Sequence, residues 1–310
     1  MEFFHITKEL RFMRHARTTS IVSAVIFLAA VVLLVVRGLN LGIEFTGGTM
    51  MEVRYPQAVN LNQVRNTLEA GNFRDANVQN FGTSVDVLIR LPVKADVTSA
   101  QLSEQVLKVL RADNDKVEVR RVEFVGPQVG AELVNDGGLA LILVSIGIMI
   151  YLAIRFEWRF AVGAIVATAH DLLILLGLFS LFQWEFTLTV LAAMLAVLGY
   201  SVNDTVVVFD RIRENFRKMR KGTIAEIIDS SITSTLSRTI MTSATTLIMV
   251  FAMLFLGGEI LFYFALTLAI GIAVGTYSSV LVASPIVMWL GISRADMVPV
   301  KKEGEIDDRP

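Results

Sequence analysis

This sequence predicts an α-helical polytopic membrane protein with six transmembrane helices and a small α+β domain between the first and second. Three observations carry that prediction. Of 310 residues 54% are hydrophobic and the mean hydropathy is +0.61, values typical of membrane chains rather than soluble domains. Six stretches each hold about 20 mostly apolar residues, the length that crosses a hydrocarbon core. The one long interval between them, residues 37–134, alternates strand-like and helix-like patterns.

The spans fall at 18–36, 135–154, 160–182, 186–209, 239–257 and 260–290. The first follows Lys8, Arg11, Arg14 and Arg17, as a signal peptide would. Its apolar run is longer than a signal h-region and no A-x-A cleavage pattern follows, so it reads as a retained helix. The last span is long enough to tilt or to extend beyond the bilayer. Basic residues recur between the second and third spans (Arg155, Arg159) and between the fourth and fifth (Arg211, Arg213, Arg217, Lys218, Arg220, Lys221). They return in the tail (Arg294, Lys301, Lys302, Arg309), whereas the short loops at 183–185 and 257–259 have none. The positive-inside bias then assigns residues 1–17 and 291–310 to the cytoplasm and 37–134 to the exported side. The charged tail is expected to be disordered.

After the fourth span, DRIRENFRKMRKG continues as an amphipathic helix with Ile212, Phe216 and Met219 on one face, expected to lie at the inner surface within a cytoplasmic segment at 210–236. Thr223 and Glu226 fit a capping box that starts the helix leading into the fifth span.

In the exported stretch, TMMEVRY (49–55), ANVQNF (76–81), SVDVLIRL (84–91) and KVEVRRVEFV (116–125) read as strands. LNQVRNTLEAG, closed by Gly71, and residues 98–112 have helical spacing. Pro56 and Pro92 sit where strands end. The order β-α-β-β-α-β is the ferredoxin-like arrangement, which hosts many functions and selects none.

Composition excludes several classes of function. With 28 basic and 29 acidic residues the net charge is −1, so no global field recruits nucleic acid. The absence of cysteine rules out disulfides, iron–sulfur clusters and thiolate zinc sites, and three scattered histidines (His5, His15, His170) make no histidine-rich metal site. No H-E-x-x-H, phosphate-loop or G-x-S-x-G pattern occurs, so an enzyme is not indicated and no cofactor is expected.

The chemistry is expected inside the spans. Asp204, in GYSVNDTVVVFDRIREN (199–215), follows Asn203 in an apolar helix, where a carboxylate costs several kcal/mol unless it is used or paired. It lies 18 residues from Phe186, roughly 27 Å along a helix, and Arg238 lies 19 residues from Gly257, roughly 28 Å. The two can therefore meet at one depth, where an arginine would hold the carboxylate ionised and small changes in separation would load or release a proton. Taken alone, Arg238 reads as a snorkelling helix-end arginine and Asp204 as an interfacial carboxylate.

Thr242, Thr245 and Thr246 follow Arg238 at helical spacing and read first as helix glue. His170 and Asp171 sit mid-span. Adjacent helical residues point about 100° apart, so the two are not expected to face one partner, and secondary relay and packing remain equal readings. Asp171 and Asp204 differ in depth, which argues against a proton-sharing protease dyad. Small residues at Ala192, Ala196, Gly199 and Asn203, and at Gly271, Gly275 and Ser279, mark helix-contact faces.

Several motifs now stand in a fixed order: LGIEFTGGTMMEV (41–53), RRVEFVGPQVGAEL (120–133), RFEWR (155–159), AHD (169–171), the Asp204 segment, SRTIMTS (237–243) and a glycine-rich last span. Together they resemble the SecD/SecF family of bacterial protein-export membrane proteins, within the RND superfamily, and in particular its smaller, SecF-type members. The resemblance implies one half of an RND-type bundle in the bacterial inner membrane, completed by a SecD partner and associated with the SecYEG translocon and YajC. It implies that the proton-motive force moves the exported domains and so assists preprotein translocation and release. Asp204 would match the family's proton-pathway aspartate and Arg238 its functional membrane arginine, with the remaining relay carboxylate on SecD. A permease half for a small molecule or lipid, with a ligand pocket near the exported domain, and a purely structural scaffold are the alternatives weighed against it.

Overall fold

The structure, a computed structural model, describes residues 9–93, 97–219 and 221–293. The expected N-terminal segment 1–17 is thus described from residue 9 and the tail 291–310 only to residue 293. His5, Lys8, Arg220, Arg294, Lys301, Lys302 and Arg309 lie outside the described residues.

Among the described residues, six helical segments are long and apolar enough to cross a membrane. They are built from α1 (Ala16–Arg37), α5 (Pro127–Arg155), α6 (Trp158–Phe182), α7 (Leu188–Lys218), α8 (Ile224–Leu256) and a last segment made of α9 (Gly258–Ser278), a π-helical turn (Ser279–Ala283) and α10 (Ser284–Trp289). In α7, 56% of the most apolar stretch is buried within the chain, against 6% in α5, so α7 is the hub and α5 presents most of its surface outward. Glycine permits the tightest contacts: Gly271 lies against Val197 and Gly275 against Ser201, with no room for a side chain. Gly177 receives Ala30 of α1 in the same way.

Three features differ from the sequence reading. The second span starts at Pro127 rather than 135, because Pro at the first helical turn supplies a ready start. The amphipathic stretch after Asp210 continues the fourth helix as expected, but its apolar face is not laid on a surface. Instead α7 runs unbroken to Lys218, and Ile212 and Phe216 are buried against Ile227, Ile228 and Ile232 of α8 and Met13. The Thr223–Glu226 capping box opens α8 as expected, with Glu226 N 3.3 Å from Thr223 Oγ1. The last span is not one regular helix: Pro285 has no N–H to donate, and the turn before it opens to π geometry.

Between α1 and α5 the described residues include a four-stranded antiparallel sheet of order β3-β4-β2-β5, from β2 (Gly48–Arg54), β3 (Asn77–Phe81), β4 (Thr83–Leu91) and β5 (Glu118–Val125). Two helices, α3 (Leu61–Ala70) and α4 (Ser99–Asp113), interrupt it where the sequence places them. Their Val64, Leu68, Leu102, Val106 and Leu110 pack on Met51, Val53, Val87 and Ile89. Caps fix both helices: Asn60 accepts from Asn62 N, and Thr98 and Gln101 form a capping box.

The sheet is fastened to the helices by features not foreseen from sequence. A short helix α2 (Ile43–Thr46) precedes Gly47 and Gly48, whose φ angles of +70° and +137° suit glycine. A Cβ on Gly48 would lie 2.6 Å from the Leu91 carbonyl oxygen, so the FTGG turn grips the end of β4. Strand β1 (Asn40–Leu41) pairs in parallel with β6 (Glu185–Phe186), joining the chain after α1 to the α6–α7 connection.

Candidate functional site

The helix period of α7 sorts its residues. Val197, Ser201, Asp204, Thr205 and Val208 are buried, while Ala192, Ala196, Gly199 and Asn203 are exposed. Asp204, 6% exposed, accepts hydrogen bonds from two other segments: Thr239 Oγ1 of α8 lies 2.8 Å from Oδ1, and Ser279 Oγ of the π turn lies 2.8 Å from Oδ2.

The expected direct partner is not in place. Arg238 is exposed, and it forms no ion pair with Asp204. Adjacent residues on a helix diverge by about 100°, and it is Thr239 that faces Asp204 of α7. Asn203 is likewise directed away from the site. Thr242, Thr245 and Thr246 donate to carbonyls of their own helix, at 3.1, 2.9 and 2.9 Å.

A second carboxyl stands beside the first. Asp171, 1% exposed, holds Ser201 Oγ at 2.5 Å and Ser278 Oγ at 2.7 Å on Oδ2, and His170 Nδ1 at 3.0 Å on Oδ1. The expectation that His170 and Asp171 diverge holds only past this first contact: they bond one another, and then the His170 ring turns to stack on Tyr277, centroids 6.4 Å apart. Tyr277 Oη in turn meets Ser23 Oγ of α1 at 2.8 Å. His170 Nε2 is buried with no hydrogen-bond partner. A third polar layer joins Tyr200 Oη, Ser243 Oγ and Thr276 Oγ1 at 3.2 and 2.9 Å.

The hydroxyls were the missed component. Ser201, Thr239 and Ser278 received no sequence assignment, and Ser279 was read only as a small residue. The available signal was the pair Ser278-Ser279 followed by Ser284-Pro285 inside an apolar span, since hydroxyls near a proline re-satisfy freed backbone groups. Ser284 Oγ donates to the Ser279 carbonyl, five residues before it in the π turn, at 3.0 Å.

Outside the spans, Glu185 forms a buried ion pair with Arg90 of β4. Burial pushes the Glu185 carboxyl up; Arg90 opposes this and neighbouring Glu44 adds to it. Among the described residues no group of three or more His, Asp or Glu is placed to hold a metal ion.

Six segments long and apolar enough to cross a membrane, with two buried, hydroxyl-bonded carboxyls among them, define a membrane protein with ionisable groups in its helical core. A family model described as "Protein export membrane protein SecD/SecF, C-terminal" matches residues 105–293, and one described as "SecD/SecF GG Motif" matches residues 32–59. The chain is 48% identical over 307 residues to protein translocase subunit SecF of Vibrio alginolyticus, covering 98% of each. It is 44% identical over 308 residues to the SecF subunit of Escherichia coli O157:H7, covering 99% of this chain and 95% of that one. Among solved structures it is similar to SecDF, a translocon-associated membrane protein from Thermus thermophilus, with 39% identity and a TM-score of 0.84. That match covers 93% of this chain and 39% of the SecDF chain, so the chain spans about two fifths of that longer protein. The chain belongs to the SecD/SecF family of protein-export membrane proteins.

Proposed function

We propose that the chain is the smaller half of a two-part inner-membrane assembly that uses the proton-motive force to assist preprotein translocation and release, with Asp204 holding the transferred proton and Arg238 tuning it. The observation that carries the proposal is the ligation of Asp204 by Thr239 and Ser279. A hydroxyl donates to a carboxylate and accepts from a carboxylic acid, so both protonation states keep their partners. A direct arginine bond would favour the ionised state alone.

The printed names of the relatives support an export role, and the surface supports a second half. Gly199, Asn203, Arg238, Thr242 and Thr245 are exposed on helices long enough to cross a membrane, where lipid would leave a guanidinium and an amide unsatisfied. A facing bundle carrying a complementary carboxyl satisfies them; SecD fills that role in this reading, with SecYEG, YajC and preprotein as further partners. The sheet domain is taken as exported and ferredoxin-like, in keeping with its β-α-β-β-α-β order.

One charge crossing 100 mV releases roughly 2.3 kcal/mol, and driving a two-state change from 1:99 to 99:1 takes about 5.5 kcal/mol. A single proton therefore shifts such an equilibrium only partway, unless the gap is smaller or a pH gradient adds to it. The reading is tested by proton flux and preprotein export in vesicles carrying Asp204→Asn in the complete assembly. Loss of both supports it, and retention of both at normal protein level removes it.

A further inference from the structure

Ser278 and Ser279 are consecutive residues, fully buried, and each donates to a different carboxyl: Ser278 Oγ to Asp171 Oδ2 at 2.7 Å and Ser279 Oγ to Asp204 Oδ2 at 2.8 Å. Each also has a second acceptor within reach on its own helix. For Ser278 it is the Gly275 carbonyl at 3.1 Å, and for Ser279 the Thr276 carbonyl at 3.0 Å. Serines that bond back to a preceding carbonyl are common in helices. Here both stand between that carbonyl and a carboxyl, where the chain passes from α to π geometry.

We propose that Ser278 and Ser279 are positioning residues that couple Asp171 to Asp204, so that the protonation of either carboxyl is sensed by the other. When a proton adds to Asp204 Oδ2, that oxygen becomes an O–H donor. The Ser279 hydroxyl then turns its own hydrogen to the Thr276 carbonyl and accepts from the acid with its lone pair. The reverse occurs when the proton leaves.

Ser278 has the same two settings on Asp171. Because one peptide unit joins the serines, and a π turn can re-pair its backbone with an i−4 in place of an i−5 carbonyl, a shift at one hydroxyl moves the other. On the same Oδ2 Asp171 also accepts from Ser201, which lies one turn before Asp204 on α7. The remaining ionisable groups around this region are His170 from α6, Tyr277 from α9, Tyr200 from α7 and, facing outward beside it, Arg238 from α8.

This inference rests on Asp204 titrating, as proposed above, and the test separates the two. In membranes containing the complete assembly, infrared difference spectra across a pH series give the carboxylic C=O band of Asp204, assigned by its loss in Asp204→Asn. The midpoint of that band is then followed in Ser278→Ala and Asp171→Asn, neither of which removes an atom in contact with Asp204. Coupling predicts that both move the midpoint by about one pH unit, a tenfold change within the usual range for coupled sites.

A purely structural role for Ser278 changes protein yield and leaves the midpoint in place. If Ser278→Ala does not assemble, Asp171→Asn, which keeps the side-chain shape, decides the question. An Asp204 band unmoved in Asp171→Asn overturns the coupling while the proton reading stands. The lack of any titrating band lost in Asp204→Asn overturns both.

Discussion

Thr239 Oγ1 lies 2.8 Å from Asp204 Oδ1 across the α7–α8 contact, although Arg238, its neighbour in sequence, is the residue whose chemistry first suggests a partner for a carboxyl. The hydroxyl makes the contact and the guanidinium is left facing outward. Under the proposal that Asp204 takes up and releases a proton, that division of labour keeps the α7–α8 contact in both protonation states.

Thr239→Val keeps the side-chain shape and removes the donor. Leaving a buried acceptor short of one bond costs about 1–3 kcal/mol, so the variant is expected to lower the thermal midpoint of the purified complex and to reduce proton flux. Thr239→Ser restores the donor and should recover the flux. Equal flux in both variants and the parent would remove Thr239 from the proton site.

The two small-residue faces predict opposite outcomes. Gly271 is pressed against Val197, so Gly271→Val overpacks the α7–α9 contact at a cost of about 1–3 kcal/mol, read as a lower unfolding midpoint of this chain. Gly199 has open space where a side chain would go. Gly199→Leu should leave the stability of the isolated chain within about 0.5 kcal/mol, as surface changes do, and should block co-purification with the larger half. Normal co-purification of Gly199→Leu contradicts the assignment of this face to a partner.

In the sheet domain, Arg54 Nε and Nη2 lie 2.6 and 2.8 Å from the Asp86 carboxyl, and Thr83 Oγ1 adds a bond at 2.7 Å. The bond from Arg54 holds the Asp86 carboxyl below the ordinary aspartate range. The unfolded chain then binds this proton more readily than the folded one. The stabilising contribution is therefore complete above the ordinary aspartate pKa, about 3.9, and is lost as pH falls through the lower folded value. Protection of β4 amides against hydrogen exchange, corrected for intrinsic rates, should fall over that window in the parent and be flat in Asp86→Asn. The same acid dependence in Asp86→Asn would assign it to another group.

Much of this architecture is legible in the sequence because its signals are strong and local. Six apolar stretches have little choice but to cross a bilayer, and the strands at 49–55 and 84–91 alternate cleanly enough to be found within a residue or two. What tertiary contact decides is less legible. The polar residues after Asp210 continue α7 as their periodicity indicates, but only the fold shows that Ile212 and Phe216 are buried against α8 rather than laid on a surface. Asp204 was recognisable because a carboxylate in an apolar run is costly. Its partners were not: serine and threonine are unremarkable at any one position in a span, and only the fold brings Thr239 and Ser279 onto one carboxyl. Depth counting could set Arg238 level with Asp204, but it carries no information about which way round the helix each side chain points.

The central claim is that Asp204 carries the proton, and it is tested most directly by proton flux. Vesicles bearing the complete assembly are given a pH gradient, and flux is compared between parent and Asp204→Asn at matched protein levels. The account predicts that flux attributable to the complex disappears in Asp204→Asn while the two halves still co-purify. Flux equal to the parent in an intact Asp204→Asn complex would contradict it.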